Sequence, residues 1–564
     1  MADYYVATTG DDSADGSQAA PWATLEKAIA TAVGGDSVTV GAGDYPQLAE
    51  TTAAGRTSML VFRADGAVRV NTLNLSYPSP QDSYLCFIGF DFHGDAVPAH
   101  GVVTLENSAR TQFKQCKVHA DQWATAGAIQ TGFYIKAGSS NFMIERCHVY
   151  EVAQGCRLLP GSSNMTVRGN HIQVKAESGI QAAADGDVLI EFNHIAGEDW
   201  VRNPPNSDAP VDPHQSMISV RCNNITIRQN VIHGLGTSSC ILLYDPDAIG
   251  GQLEYRDVNI HNNAIYSADT NQQGVRLRNV AERISLKNNL FFSKLRDSSA
   301  GAARFYGTAV TVETFADGYD ATNVELANNI LIGSLVSPAE INESDNVIWA
   351  WFDENNDIRT YSQTSRLVTI DQSLADAERS TYFEDGSFFE ETIDFGAIGR
   401  NFQSFALAQN SDGINYGGIE AQIPYGLGAI DADGFLSYSG PDRNNIRHSV
   451  GPYETGNKTI ESSKERNVPP AIIRPRPDIA VTNGESVGFS IGWGMVGGEA
   501  DPLFNPRYLV AGLPPGSDLT GDAGGYVGGG DWGADITHTI SISVENKLGL
   551  LVTDEFTVTV GAGS

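Results

Sequence analysis

The 564-residue sequence is poor in several things at once. It has only six cysteines, at positions 86, 116, 147, 156, 222 and 240, with no CxxC spacing among them. That predicts free thiols and argues against a zinc cluster. Cations are scarce, 36 Lys and Arg against 68 Asp and Glu, giving a net charge of −32. A general nucleic-acid binder is not built this way, so the acidity reads as a solvated surface with weak cation sites. No apolar run reaches the length of a transmembrane helix, and membrane insertion is not expected. The opening MADYYVATTG has neither a basic n-region nor an apolar h-region. Either a leader has been removed ahead of Met1 or the protein is released without one.

What the chain does have is glycine, 59 residues of it, and a recurring motif. The motif alternates apolar and variable residues around an Asn. It occurs as NMTVRGNHI at Asn170, DVLIEFNHI at Asn193, NITIRQNVI at Asn230, VNIHNNAI at Asn263, ISLKNNLFF at Asn289 and VELANNILI at Asn329, with Cys116 and Cys147 in the anchor place of two degenerate copies. The anchors fall at irregular intervals of 23 to 40 residues, so a short unit is interrupted by loops of variable length. Each copy has the period of a strand, and a second strand follows it, often introduced by Gly or Ser. Stacked coils of this kind bury one face of every strand. The fold class predicted is all-β: a right-handed parallel β-helix with the asparagines in one buried amide ladder.

The segment ATLEKAIATAV puts Leu25, Ile29 and Val33 on one helical face, an N-terminal capping helix for the first coil. The β-helix is expected over 1–454, with an opening strand and cap in 1–50 and irregular last coils in 336–454. A polar linker covers 455–471. Alternating strands such as THTISISVE and EFTVTVG predict a small β-sandwich over 472–564.

In-register strands stack outward side chains in columns about 4.8 Å apart. On the strand after each Gly or Ser, one column reads Tyr134, Arg157, Gln181, Ser219, Leu242, Arg276, and the next reads Lys136, Leu159, Ala183, Arg221, Tyr244, Arg278. Five cations and two tyrosines on one face suit an anionic sugar chain, since Arg forks onto carboxylates and Tyr stacks on a ring. The excursion AGEDWVRNPPNSDAPVDPHQS leads into the same strand and carries Asp212 and His214, while Lys175 stands in the nearly equivalent place one coil earlier. The candidate catalytic set is therefore His214, Lys175, Asp212, Arg221 and Tyr244, with Tyr134, Lys136, Arg157, Arg276 and Arg278 as substrate-binding residues. No metal ligand set is assigned and no cofactor is required, with calcium as a compatible ion. Two further columns have structural readings. His148, His171 and His194 are expected to form a solvent-facing ladder, and Glu145, Arg168, Glu191 and Arg228 a surface ladder of ion pairs.

The run YYVATTGDDSADGS, PWATLEKAI and GDSVTVGAGDY resembles the opening of secreted β-helix carbohydrate enzymes of the polysaccharide-lyase and alginate-epimerase type. The likeness continues to about residue 335 and returns at IDADGFL and GPDRNNIRHSVGPYE. It implies an extracellular enzyme acting on a polysaccharide. DPH at 212–214 resembles the tripeptide of alginate C-5 epimerases, but Ala209 stands where that pattern has Tyr. GLPPGSDLTGDAGG resembles immunoglobulin-like modules of bacterial and phage surface proteins. With an acidic polysaccharide as the partner, the chemistry expected is a lyase. Alternatives are a uronate epimerase, a non-catalytic glycan adhesin, and a tailspike-type hydrolase using paired carboxylates among Glu198, Asp199, Asp208, Asp212, Asp245 and Asp247. The tailspike reading implies a homotrimer.

Overall fold

The computed structural model describes residues 2–197 with short breaks at 52–54, 95–100, 121–123, 126–127 and 176. Beyond residue 215 it describes the coil strands and the turns beside them, and past residue 350 strands only. The chain divides into two compact units, Met1–Glu461 and Ser462–Ser564.

The first unit winds 33 strands into one continuous parallel sheet. Each strand pairs with the one a full coil later, so three flat faces run the length of the helix. Sheet I contains Thr131–Ile135, Gln154–Leu158, Ile180–Ala182, Ile218–Val220, Ser239–Leu243 and Gln273–Arg278. Sheet II contains Ser140–Glu145, Ser163–Arg168, Val188–Glu191, Ile225–Arg228, Arg256–His261 and Glu282–Lys287. Sheet III contains His148–Val152, His171–Val174, His194–Gly197, Val231–Gly234, Ala264–Ser267 and Leu290–Ser293. The earliest coils use longer strands that bend from one face to the next, as in Gly101–Lys114. Their interior is filled by phenylalanines stacked coil on coil, with Phe87 lying 5.3 Å from Phe62 and 5.5 Å from Phe113.

The turn between sheets II and III explains the repeat. The residue before each anchor is left-handed, from Gly169 (φ 64°) through Phe192 (56°) and Gln229 (53°) to Asn328 (58°). That sharp reversal aims the Asn side chain inward, where Asn170, Asn193, Asn230, Asn263, Asn289 and Asn329 are all fully buried. Each Nδ2 donates to the Oδ1 of the next anchor at 2.9–3.1 Å and to a carbonyl of the coil below. Asn346 adds a further rung after a coil of only 17 residues. At the other end the Cys147 N–H donates to Asn170 Oδ1 at 2.8 Å. All six cysteines are buried thiols with no disulfide among them, and burial pushes the Cys222 thiol up to about 12. The glycines that open sheet I strands have their own reason. A Cβ on Gly155 would collide with the Gly179 carbonyl and Ile172, so the corner between sheets III and I has no room for a side chain.

The capping helix is shorter than its sequence pattern. It spans Leu25–Thr31, buries Leu25, Ala28 and Ile29, and stops at Ala32, whose extended backbone ends the run. Val33 therefore leaves the helical face and is 63% exposed, and its N–H is held by Asp36 Oδ2. Thr24 caps the start, and the Asp12 carboxylate accepts from both Ala23 and Thr24 N–H. Behind the helix Arg56, 5% exposed, donates to Ile29 O, Ser83 O and Glu50, tying the cap to the second coil.

Two outward columns differ from their expected exposure. His148, His171 and His194 stack at 4.6 and 4.7 Å with rings 5° from parallel, but His171 and His194 are buried. Each ring face is covered by its neighbour, and Tyr150 and His119 extend the stack. On sheet II, Glu191 is buried because Arg168 and Arg228 both close on its carboxylate, Arg228 at 2.6 Å. The carboxylate is taken out of water while both guanidinium groups stay partly exposed, so its burial departs from the surface pairs expected from sequence.

One coil beyond Arg228 in the same column stands His261, with Lys287 next above it. Burial first, then the two flanking cations, pulls the His261 imidazole down to about 4. An unfolded chain takes up that proton near pH 6.5, so stability is lost as pH falls from about 6.5 to about 4. Water still reaches the half-buried residue, so the loss over that window amounts to about 2 kcal/mol. His261→Gln should flatten that slope, read as urea midpoints at pH 7 and pH 4.5. Equal losses in both proteins would remove His261 as the cause.

Past residue 335, Ile341–Ser344, Val347–Ala350 and Arg366–Thr369 continue the coil sheets. A small antiparallel sheet joins Gly426–Ile430, Leu436–Ser439 and Thr459–Ile460. The last of these strands falls in the stretch read from sequence as linker. The second unit holds a four-stranded sheet, including Ile536–Glu545 and Leu551–Gly561, and a three-stranded one.

Candidate functional site

On the outer face of sheet I, strand register puts Tyr134 opposite Arg157, Arg157 opposite Gln181, Gln181 opposite Ser219, Ser219 opposite Leu242, and Leu242 opposite Arg276. The second column follows one residue past each strand's inward position. Successive N–H groups of Lys136, Leu159, Ala183 and Arg221 donate to the coil below at 2.7–2.9 Å. Tyr134, Lys136, Arg157, Arg221 and Arg276 are half-buried, while Ser219, Leu242 and Ala183 are buried. The centre of the face is thus small or apolar, with cations above and below it.

The lower cations are engaged. Lys136 Nζ lies 3.1 Å from Glu106 Oε2, which also accepts from Ser76, and the lysine keeps that carboxyl below its ordinary value. The Tyr134 ring carries Arg157 at 5.6 Å and Lys136 at 5.8 Å from its centroid. One face of that tyrosine is therefore used to seat a guanidinium. Higher up, Gln154 Nε2 donates to Gln181 Oε1 at 3.1 Å. Arg157 Nε and Arg221 Nε are buried, and neither has a hydrogen-bond partner among the described residues. An arginine donor held out of water without an acceptor is a group that gains from an incoming carboxylate.

Lys175 does not stand free in the site. Its Nζ is 3.2 Å from Glu151 Oε1, a pairing that must open before the lysine can meet a substrate. Asp212, His214 and Tyr244 lie outside the described residues, as do the Arg278 side chain and the acidic candidates Glu198, Asp199, Asp208, Asp245 and Asp247. In sequence, His214 stands four residues before Ile218, which opens the strand bearing Ser219, and Tyr244 directly follows Leu243 at the end of the next strand. Sequence reasoning missed Glu106, Glu151 and the Gln154–Gln181 pair. Gln181 already stood in the outward column, and the signal for its partner was the place of Gln154 three residues before Arg157 in a stacked coil, though no charge marks it. Among the described residues no cluster of His, Cys, Asp or Glu could hold a metal ion, and no helix is long and apolar enough to cross a membrane.

Residues 86–291 match the family model of the right-handed β-helix region, and residues 8–52 match a family described as a protein of unknown function, DUF1565. No curated protein matches the chain. Among solved structures it is similar to the pectate lyase Pel9A, with 14% identity and a TM-score of 0.42 over 80% of this chain and 96% of that one. It is also similar to a mannuronic acid specific family 6 polysaccharide lyase from human gut microbiota, with 13% identity and a TM-score of 0.38 over 70% and 96%. Tailspike protein 2 of bacteriophage CBA120 gives 10% identity and a TM-score of 0.29 over 94% and 67%.

Proposed function

We propose that the protein is a polysaccharide-degrading enzyme of the extracellular space, and that it cleaves a uronate-containing chain by β-elimination on the outer face of sheet I. The observation that carries this reading is a fixed set of guanidinium groups, with Arg157 and Arg221 each holding a buried Nε that lacks a partner among the described residues, in a chain of net charge −32. A cationic face in so acidic a protein suits a polyanion. Arg221 or Arg276 neutralises the uronate carboxylate, which makes the C5 proton acid enough to remove and stabilises the charge that develops. His214 takes that proton as base. The C5–H electron pair becomes the C4–C5 double bond, the C4–O bond breaks, and Tyr244 gives its proton to the leaving oxygen.

The test is a panel of acidic polysaccharides incubated with the full chain, reading the ultraviolet absorbance of an unsaturated uronate together with new reducing ends. Both signals should rise in step on at least one polyuronate. Reducing ends without the unsaturated product would give the reaction to a hydrolase, and exchange at C5 without chain shortening to an epimerase. Neither signal on any polymer would leave a binding protein.

A further inference from the structure

Sheet II carries an open trench of about 620 Å³ on its outer side, a full face away from the residues proposed for elimination. Its floor is one outward column: Gln112, Met143, Thr166, Leu189 and Thr226, in register coil by coil and half-buried. One wall is a row of turn residues with left-handed backbone, Asn141 (φ 51°), Asn164 (54°), Asp187 (45°) and Asn224 (52°), all exposed. Asn and Asp tolerate that conformation, so the same turn recurs with a polar side chain each time. The opposite side is bounded by the ion-pair column, whose charges are satisfied internally: Lys114 against Glu145 at 3.7 Å, and Arg168 and Arg228 against Glu191. Further along, the same column runs through Asn259, Ser285, Glu325 and Asn342 into a second hollow of about 350 Å³, which Asp257, Arg283 and Glu325 make charged and so set apart from the trench.

We propose that this trench is a second glycan-binding site, taking a neutral, hydroxyl-rich stretch of polysaccharide. Charge makes the choice. Its lining holds one carboxylate, Asp187, and one guanidinium, Arg228, and is otherwise uncharged in a chain of net −32, so neither a polyanion nor a polycation is matched to it. Amide and hydroxyl side chains both donate and accept, which is what sugar hydroxyls do. Met143 and Leu189 offer apolar contact to the CH face of a ring. Coils repeat at about 4.8 Å, close to the length of one sugar residue, so successive coils meet successive sugars. With Phe142, the aromatic in its lining, turned into the core, the trench binds through many weak contacts along a chain.

The chain has six methionines, and one of them, Met143, lies on the trench floor half-exposed, which gives a direct probe. In the full chain labelled with ¹³C-methyl methionine, hexasaccharides of glucose, xylose and mannose are titrated, with a polyuronate as control. At least one neutral hexasaccharide should move the Met143 methyl signal saturably while the polyuronate leaves it in place. Thr166→Arg, which fills the trench, should weaken that binding at least tenfold, and Thr166→Val, which keeps the strand and removes the hydroxyl, should weaken it less. Both variants should retain turnover on the sheet I substrate. The proposal is overturned if no neutral hexasaccharide moves Met143, if the polyuronate moves it equally, if Thr166→Arg binds like wild type, or if the signal shifts with protein concentration alone, which would mean a second copy occupies the face.

Discussion

Asn230→Ala should lose about 3–6 kcal/mol of stability in urea denaturation, far more than an exposed substitution on the same coil. The wild-type Oδ1 accepts from both the backbone N–H and the Nδ2 of Asn193, at 2.9 and 3.0 Å. Nδ2 donates to the Ile190 and Arg228 carbonyls and to Asn263 Oδ1 at 2.9–3.0 Å. Truncation to a methyl leaves the Asn193 N–H and the Ile190 carbonyl facing a hole in a region with no exposure, and each buried group without a partner costs about 1–3 kcal/mol. Asn346→Ala should lose less, because Asn346 Nδ2 donates to the half-buried Glu343 Oε1 where Asn230 Nδ2 donates to a fully buried anchor amide. In a solenoid each coil is stabilised by its neighbours, so the internal variant should also broaden the transition by uncoupling the two halves. A loss under 1 kcal/mol for Asn230→Ala would mean that the ladder follows the turn without stabilising it.

That ladder was readable because each rung needs the same residue in the same place, and a repeated demand leaves a repeated letter. The sheet I columns were readable for a related reason: once the anchors fix coil length, register follows by counting. What could not be counted is where a coil is built differently. Glu106 escapes because Gly101–Lys114 bends through two faces without the Asn turn, so no anchor aligns it with Lys136 thirty residues later. Val33 was misplaced because helical periodicity runs on through it, whereas the chain leaves the helix at Ala32 to meet the Asp36 carboxylate. Burial of the histidine stack and of Glu191 depends on neighbours above and below each side chain, which residue type alone does not report. The trench on sheet II was invisible for a simpler reason. Its floor of Met143, Thr166, Leu189 and Thr226 carries no charge, and charge was the signal that singled out sheet I.

His214→Ala should reduce turnover on a polyuronate by a factor on the order of 10² or more, with the urea midpoint unchanged. In the proposed elimination the base has to meet a C5 proton while guanidinium holds the carboxylate on that carbon, and the sequence offers His214 four residues before the strand of Ser219 and seven before Arg221. Lys175 is the rival base, but its contact with Glu151 at 3.2 Å would first have to open, so Lys175→Ala should have the smaller effect. Arg221→Ala should behave differently from both. Its partner carboxylate is present in the bound substrate as well as in the transition state, so KM should rise together with a fall in kcat, whereas loss of the base should fall mainly on kcat. Asp212 stands two residues before His214, and Asp212→Asn tests whether a carboxylate there favours the charged imidazole: the acidic limb of the pH–rate profile should move to lower pH. Should His214→Ala keep near-full turnover while Asp245→Ala or Asp247→Ala abolishes it, proton abstraction by histidine is the wrong chemistry. A pair of carboxylates acting on the glycosidic bond would then take its place.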